Sequence, residues 1–123
     1  MVNSNKKILI IDPDNEDRAS LSSFIQSKEY QVETGTGLTD AIKKITANHF
    51  HCVIMAVELP EMKGYEAVSI IKNIDSGTKI IMTTKKNTKE LEAKVREQDI
   101  FYYFIKSFGK EELKLAINNA FNK

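Results

Sequence analysis

Cys52-Val53-Ile54-Met55-Ala56-Val57-Glu58-Leu59-Pro60-Glu61-Met62-Lys63-Gly64 is the stretch on which the fold turns. Residues 53–57 are continuously apolar and run into a segment punctuated by Pro60 and Gly64. Beyond it, Val68, Ile71 and Ile74 recur at helical spacing. A short, unbroken apolar run reads as a strand covered on both faces. Strand, loop and helix in this order form one βα unit.

The same alternation continues outward in both directions. Further apolar runs lie at residues 8–11, 30–32, 80–82 and 101–105. The run at 30–32 is short and alternating, as an edge strand would be. Between the runs, Leu21, Phe24 and Ile25 keep helical spacing. So do Leu38, Ala41, Ile42 and Ile45, and so do Leu113, Ala116, Ile117, Ala120 and Phe121. The fourth helix, at 88–98, is the weakest, with only Leu91 and Val95 for an inner face. Start signals agree. Asp14 can cap the first helix with Asp17 in its first turn, Asn87 with Glu90 has the form of a capping box, and Gly109 precedes the last helix. Five strands alternating with five helices predict right-handed crossovers and an α/β fold, a doubly wound five-stranded parallel sheet. Such sheets place their functional crevice at the carboxyl ends of the strands.

The chain of 123 residues fits one domain, residues 1–123, and its net charge of +1 gives no global attraction to nucleic acid or to an anionic membrane. No helix-turn-helix segment strengthens a nucleic-acid role. The polar residues 1–7 lead into a run too short to span a bilayer, so the expected location is cytoplasmic. Cys52 excludes an internal disulfide and is expected to be a buried, inert thiol. His49 and His51 have no spaced ligand set around them and read as surface residues, with no metal implied. Gly35-Thr36-Gly37 lacks the rest of a nucleotide-binding fingerprint and reads as a turn entering the second helix.

The strand ends carry the chemistry: Ile11-Asp12-Pro13-Asp14, Ala56-Val57-Glu58-Leu59-Pro60-Glu61-Met62-Lys63-Gly64, Met82-Thr83-Thr84-Lys85 and Tyr103-Phe104-Ile105-Lys106-Ser107-Phe108. In this order and at this spacing, across nearly the whole chain, they resemble the receiver domains of bacterial two-component response regulators. The Leu-Pro-x-Met-x-Gly and Lys-x-Phe segments are the most specific. The resemblance implies a CheY-like, flavodoxin-like (βα)5 fold with strand order 2-1-3-4-5. It also assigns positions. Asp12 matches the first of two adjacent acidic residues that help hold Mg²⁺, and the second falls on Pro13. The phosphoacceptor aspartate falls on Ala56, four residues before Pro60. Glu58 matches the residue whose carbonyl binds the metal. Thr84 matches the switch hydroxyl, Tyr103 the switch aromatic and Lys106 the pocket lysine. Lys85 stands where a small residue is usual, and Ser107 where proline is.

These departures predict a pseudo-receiver. Transfer to aspartate needs a carboxylate nucleophile, which Ala56 lacks. Mg²⁺ needs hard oxygen ligands in near-octahedral geometry, and of three expected carboxylates only Asp12 remains, so Mg²⁺ binding is expected to be lost and no cofactor is expected. Asp14 or Glu58 could stand in for a missing carboxylate. Asp14 is read instead as a helix cap and Glu58 as a loop residue facing solvent. Asp12 and Lys106 are expected to form a direct ion pair. Because a cis bond before a non-proline residue costs about 2.5–4 kcal/mol, the Lys106–Ser107 bond is expected to be trans. Lys85 could cover the pocket mouth and is expected to be solvated.

Residues 79–96 hold six basic side chains (Lys79, Lys85, Lys86, Lys89, Lys94, Arg96) against Glu90 and Glu92. They read as a solvated face or as a docking surface for an acidic partner. The resemblance puts partner binding on the face of helix 4, strand 5 and helix 5, with Thr84, Tyr103, Tyr102 and Lys89 as its switch and contact residues. Tyr103, with Tyr102, is expected to form an exposed aromatic anchor there. The expected function is a non-enzymatic signal-transduction module of a two-component phosphorelay, acting by phosphorylation-independent protein–protein interaction. The alternatives are a working receiver phosphorylated at a non-standard acidic residue and a small ligand-binding or enzymatic doubly wound domain. Oligomeric state and partner identity are not legible.

Overall fold

Ile8, Ile10, Ile54 and Ile81 point to one side of a central sheet, and Leu9, Ile11, Val53 and Ile80 to the other. Both sides are covered, which is why these strands carry no polar alternation. The structure, a computed structural model, describes residues 6–122, so residues 1–5 of the polar start lie outside it. The elements are β1 (Lys7–Ile11), α1 (Asn15–Gln26), β2 (Gln31–Gly35), α2 (Leu38–Ala47), β3 (Cys52–Ala56), α3 (Gly64–Ile74), β4 (Lys79–Thr84), α4 (Lys89–Arg96), β5 (Tyr102–Ile105) and α5 (Lys110–Phe121). A 3₁₀ turn, Lys106–Phe108, joins β5 to α5. All strand pairs are parallel and the order is β2-β1-β3-β4-β5. The expected α/β doubly wound fold and strand order are therefore present.

α1 and α5 cover one face through Leu21, Ile25, Leu113 and Ile117. α2, α3 and α4 cover the other through Ala41, Ile45, Val68, Ile71 and Val95. Among the described residues no helix is long and apolar enough to cross a membrane.

Three local expectations need correction. β2 runs to Gly35, beyond the expected 30–32, because Glu33 and Thr34 pair with Leu9 and Ile10 through the backbone despite their polar side chains. α4 is eight residues, and its cap is Thr88, whose Oγ1 accepts from the Leu91 N–H at 3.0 Å. Asn87 is not the cap, since its side chain is used elsewhere. As expected, Gly109 precedes α5, and its φ of 92° lies in the region that favours glycine.

The loop after β3 is fixed at two points. The Gly64 N–H donates to the Val57 carbonyl, and a Cβ at Gly64 would lie 2.3 Å from the Ala56 carbonyl oxygen. Only glycine allows α3 to start this close to the strand end. Glu61 reaches across to α2, where its two oxygens accept from the Leu38 and Thr39 N–H groups at 2.9 and 3.1 Å. Those two donors hold its carboxyl below the usual glutamate range. Gly37 offers α2 no side-chain cap, and Glu61 supplies one from another loop.

Candidate functional site

β1, β3, β4 and β5 end together at a cleft of about 280 Å³ whose walls include Asp12, Ala56, Thr83, Thr84 and Lys106. Asp12 is the first residue after β1 and is buried. One of its oxygens accepts from the Asp14 N–H at 2.9 Å and the other from Lys106 Nζ at 2.7 Å. The expected Asp12–Lys106 pair is thus in contact. Lys106 is well enclosed, with 16% of its side chain exposed, and its ammonium also meets Asp17 Oδ2 at 2.8 Å.

Asp14 caps α1 as expected, accepting from the Asp17 N–H at 2.9 Å. That donor and the Lys85 ammonium hold its carboxyl below the usual aspartate range. Lys85 is exposed, as expected of a solvated side chain, but it is not without partners. Although 61% exposed, it bonds Asp14 at 3.1 Å and lies 3.4 Å from Asp17. The pocket charges therefore form a chain of alternating sign: Asp12, Lys106, Asp17, Lys85, Asp14.

Ala56 places a methyl group at the end of β3, opposite Thr83 in the sheet register. Glu58 turns outward, 71% exposed, and pairs with Lys63 at 2.6 Å. Pro13 and Ala56 have no side-chain oxygen, the Glu58 carboxylate is directed at Lys63, and both Asp12 oxygens already have donors. Among the described residues no group of three or more His, Cys, Asp or Glu could hold a metal ion.

No peptide bond among the described residues is cis, so Lys106–Ser107 is trans, and the chain leaves β5 in the 3₁₀ turn. The Thr84 hydroxyl closes on its own loop, donating to the Lys86 carbonyl at 3.1 Å and accepting from the Lys86 N–H at 3.3 Å.

Tyr103 overturns the expectation of an exposed anchor. It is 6% exposed, and its hydroxyl donates to Asn87 Oδ1 at 2.7 Å while the Asn87 amide donates to Glu92 at 2.9 Å. Alternation along β5 assigned Tyr103 a face but not its exposure, because the sheet is covered on both sides. Tyr102 is half-buried, and its hydroxyl donates to Glu112 at 2.6 Å. Lys89 lies exposed at the start of α4. The exposed apolar groups near the α4–β5–α5 face are Leu115 and Phe108, and Leu115 borders a groove with Phe101 and Tyr102. Of the six basic residues in 79–96, Arg96 is paired with Glu92 and Lys85 with the pocket aspartates, so the unbalanced charge is smaller than the count suggests.

Asp17, Glu61 and Asn87 are the residues whose parts here the sequence did not disclose. Asp17 had a signal, since a helix beginning beside Asp12 brings its first turn to the pocket. Away from the cleft, Cys52 is fully buried and burial pushes its thiol up to about 12, as an inert thiol requires. His51 accepts from the Lys7 N–H at 3.2 Å, and His49 pairs with Asp75.

The description "Response regulator receiver domain" matches residues 8–118. Protein PilG of Pseudomonas aeruginosa is 29% identical over 113 residues, spanning 90% of this chain and 84% of that protein. Transcriptional regulatory protein SrrA of Staphylococcus aureus is 23% identical over 113 residues, spanning 92% of this chain and 46% of that protein, so the chain covers about half of SrrA's length. Among solved structures, a two-component response regulator from Clostridium difficile superposes with a TM-score of 0.89 at 23% identity, covering 96% of this chain and 97% of that one. The response regulator TrrA of Thermotoga maritima, solved in complex with Mg²⁺-BeF, gives a TM-score of 0.82 at 27% identity, covering 94% and 98%.

Proposed function

Because the chain belongs to the response regulator receiver domain family, we propose that it is a two-component or phosphorelay signalling module that works through protein–protein contact without aspartyl phosphorylation and without Mg²⁺. One observation carries this reading. The strand end that would present the acceptor carboxylate presents the Ala56 methyl, and Lys106 is already matched by Asp12 and Asp17. Phosphoryl transfer is driven by positioning and by cations that stabilise the transferring group. Here the enclosed cation is neutralised by fixed carboxylates, and no nucleophile faces it from β3.

On this reading the module is not an enzyme, needs no cofactor, resides in the cytoplasm and engages a protein rather than nucleic acid. The α4–β5–α5 face, with Leu115, the Tyr102 groove and Lys89, is the surface offered.

The test is incubation with a small phosphodonor and Mg²⁺, followed by intact-mass measurement. In parallel, the amides of Asp12, Ala56 and Lys106 are followed during a Mg²⁺ and then beryllofluoride titration. The expected result is no phosphoryl mass gain and no movement of those resonances. A saturable shift with a stoichiometric adduct would overturn the reading. One observation favours a second reading: Asp17 is a carboxylate 2.8 Å from Lys106, where a substitute acceptor could act. An adduct mapping to Asp17, Asp14 or Glu58 would select it.

A further inference from the structure

Thr84 ends β4 and residues 85–88 lead to α4, and the side chains of Thr84, Lys85, Asn87 and Thr88 are each committed to a different neighbour. Lys85 crosses to Asp14 and Asp17 on the α1 side of the cleft. The Thr84 hydroxyl closes on the Lys86 backbone. Asn87 joins the Tyr103 hydroxyl to Glu92, and Thr88 caps α4. Of these links, only Lys85 ties the loop to an element across the cleft.

We infer that Lys85 is a built-in counter-cation that fastens the β4–α4 loop to α1 and so keeps Tyr103 turned into the fold on Asn87. The inference rests on the metal-free, unphosphorylated reading above and names what regulates the same pocket. Three carboxylates, on Asp12, Asp14 and Asp17, converge on the cleft, and like charges so placed repel unless cations intervene. Lys106 serves Asp12 and Asp17, while Lys85 serves Asp17 and Asp14. Asp17 is shared, so the two lysines belong to one network and not to two isolated surface pairs. A lone exposed pair contributes little. Lys85, however, is covalently adjacent to Thr84 and two residues from Asn87, so its anchoring limits where both can sit. A small side chain at this position could not reach α1. Release of Lys85, by screening or by a partner that competes for Asp14 and Asp17, frees the loop and with it the Asn87–Tyr103 bond.

The experiment compares the unsubstituted protein with Lys85→Ala and Lys85→Arg by NMR, with neither phosphodonor nor divalent metal present. The readouts are the Asn87 side-chain amide and the Tyr103 ring, which touch neither Lys85 nor its aspartates but adjoin the Arg96–Glu92 pair. Lys85→Ala is expected to shift or exchange-broaden both, and Lys85→Arg to preserve them. Raising salt toward 1 M, where the Debye length falls to about 3 Å, is expected to move the same resonances further in the unsubstituted protein than in Lys85→Ala, because the Arg96–Glu92 pair beside them is screened equally in both. Changes confined to Asp14 and Asp17 in Lys85→Ala, with Asn87 and Tyr103 unmoved there and the salt response the same in both proteins, would overturn the inference. Such a result leaves the phosphodonor test untouched, and a positive phosphodonor test leaves these spectra untouched, so the two failures are distinguishable.

Discussion

In the loop after β3, Gly64 lies against the Ala56 carbonyl and Glu61 fills the bare N-terminus of α2. In the pocket beside it, the strand end carries only a methyl, and two lysines share three aspartates. The loop is held by a backbone contact at Gly64 that admits no side chain and by the Glu61 carboxylate on two N–H groups of α2. The pocket is held by charges that need only balance. The same strand end therefore combines two kinds of restraint within a few residues, one of backbone shape and one of charge balance.

If that contrast is right, the largest effect comes from the loop. In Gly64→Ala the new Cβ would meet the Ala56 carbonyl oxygen at 2.3 Å and the Val57 Cα at 3.1 Å, both backbone. Overpacking of this kind costs about 3 kcal/mol. Urea unfolding should show the midpoint falling with the slope unchanged. A loss below about 1 kcal/mol would mean that the loop yields like the pocket.

Lys106→Met comes next. It leaves Asp12 buried with only the Asp14 N–H for support. Breaking a fully buried pair costs about 3–5 kcal/mol, and the partial exposure of Lys106 and Asp17 brings the expectation to about 2 kcal/mol. The same unfolding measurement checks it. A neutral result would show that the pocket charges balance without Lys106.

Glu61→Gln should cost less, about 0.5–1 kcal/mol, as a cap lost near solvent does. It carries a pH signature. The folded protein holds the Glu61 carboxyl below its ordinary value of about 4.3. Its stabilisation is therefore fully present above that value and disappears as pH falls through the lower folded one. The gap between Glu61→Gln and the parent should be open at pH 6 and close toward pH 3. A gap independent of pH would show that Glu61 acts by packing and not by charge.

The central strands β1, β3 and β4 were readable because burial on both faces leaves an unbroken apolar run, and these runs and that of the edge strand β5 fall within one or two residues of the strands. β2 was underread because Glu33 and Thr34 pair by backbone alone. The Asp12–Lys106 pair was readable because strand ends in a parallel sheet must converge. Lys85 reaching Asp14 was not readable, since 71 positions separate them and loop shape decides the meeting. Asn87 had the spacing of a cap, but Thr88 took that part and the Tyr103 hydroxyl took Asn87. Competition between partners of similar strength has no periodic signature in sequence.

An effect as small as that of Glu61→Gln, but of the opposite sign, probes the boundary between loop and pocket. Thr83 sits opposite Ala56 in the sheet, is buried, and its hydroxyl has no hydrogen-bond partner among the described residues. An unpaired buried hydroxyl is costly, and replacing it with a methyl of similar shape removes that cost. Thr83→Val should therefore raise stability, by about 0.5–1 kcal/mol, read as a higher urea midpoint. A fall instead would mean that the hydroxyl is solvated from the cleft. The space beside Ala56 would then be polar to its floor, and the charged layer of the pocket would continue into the sheet itself.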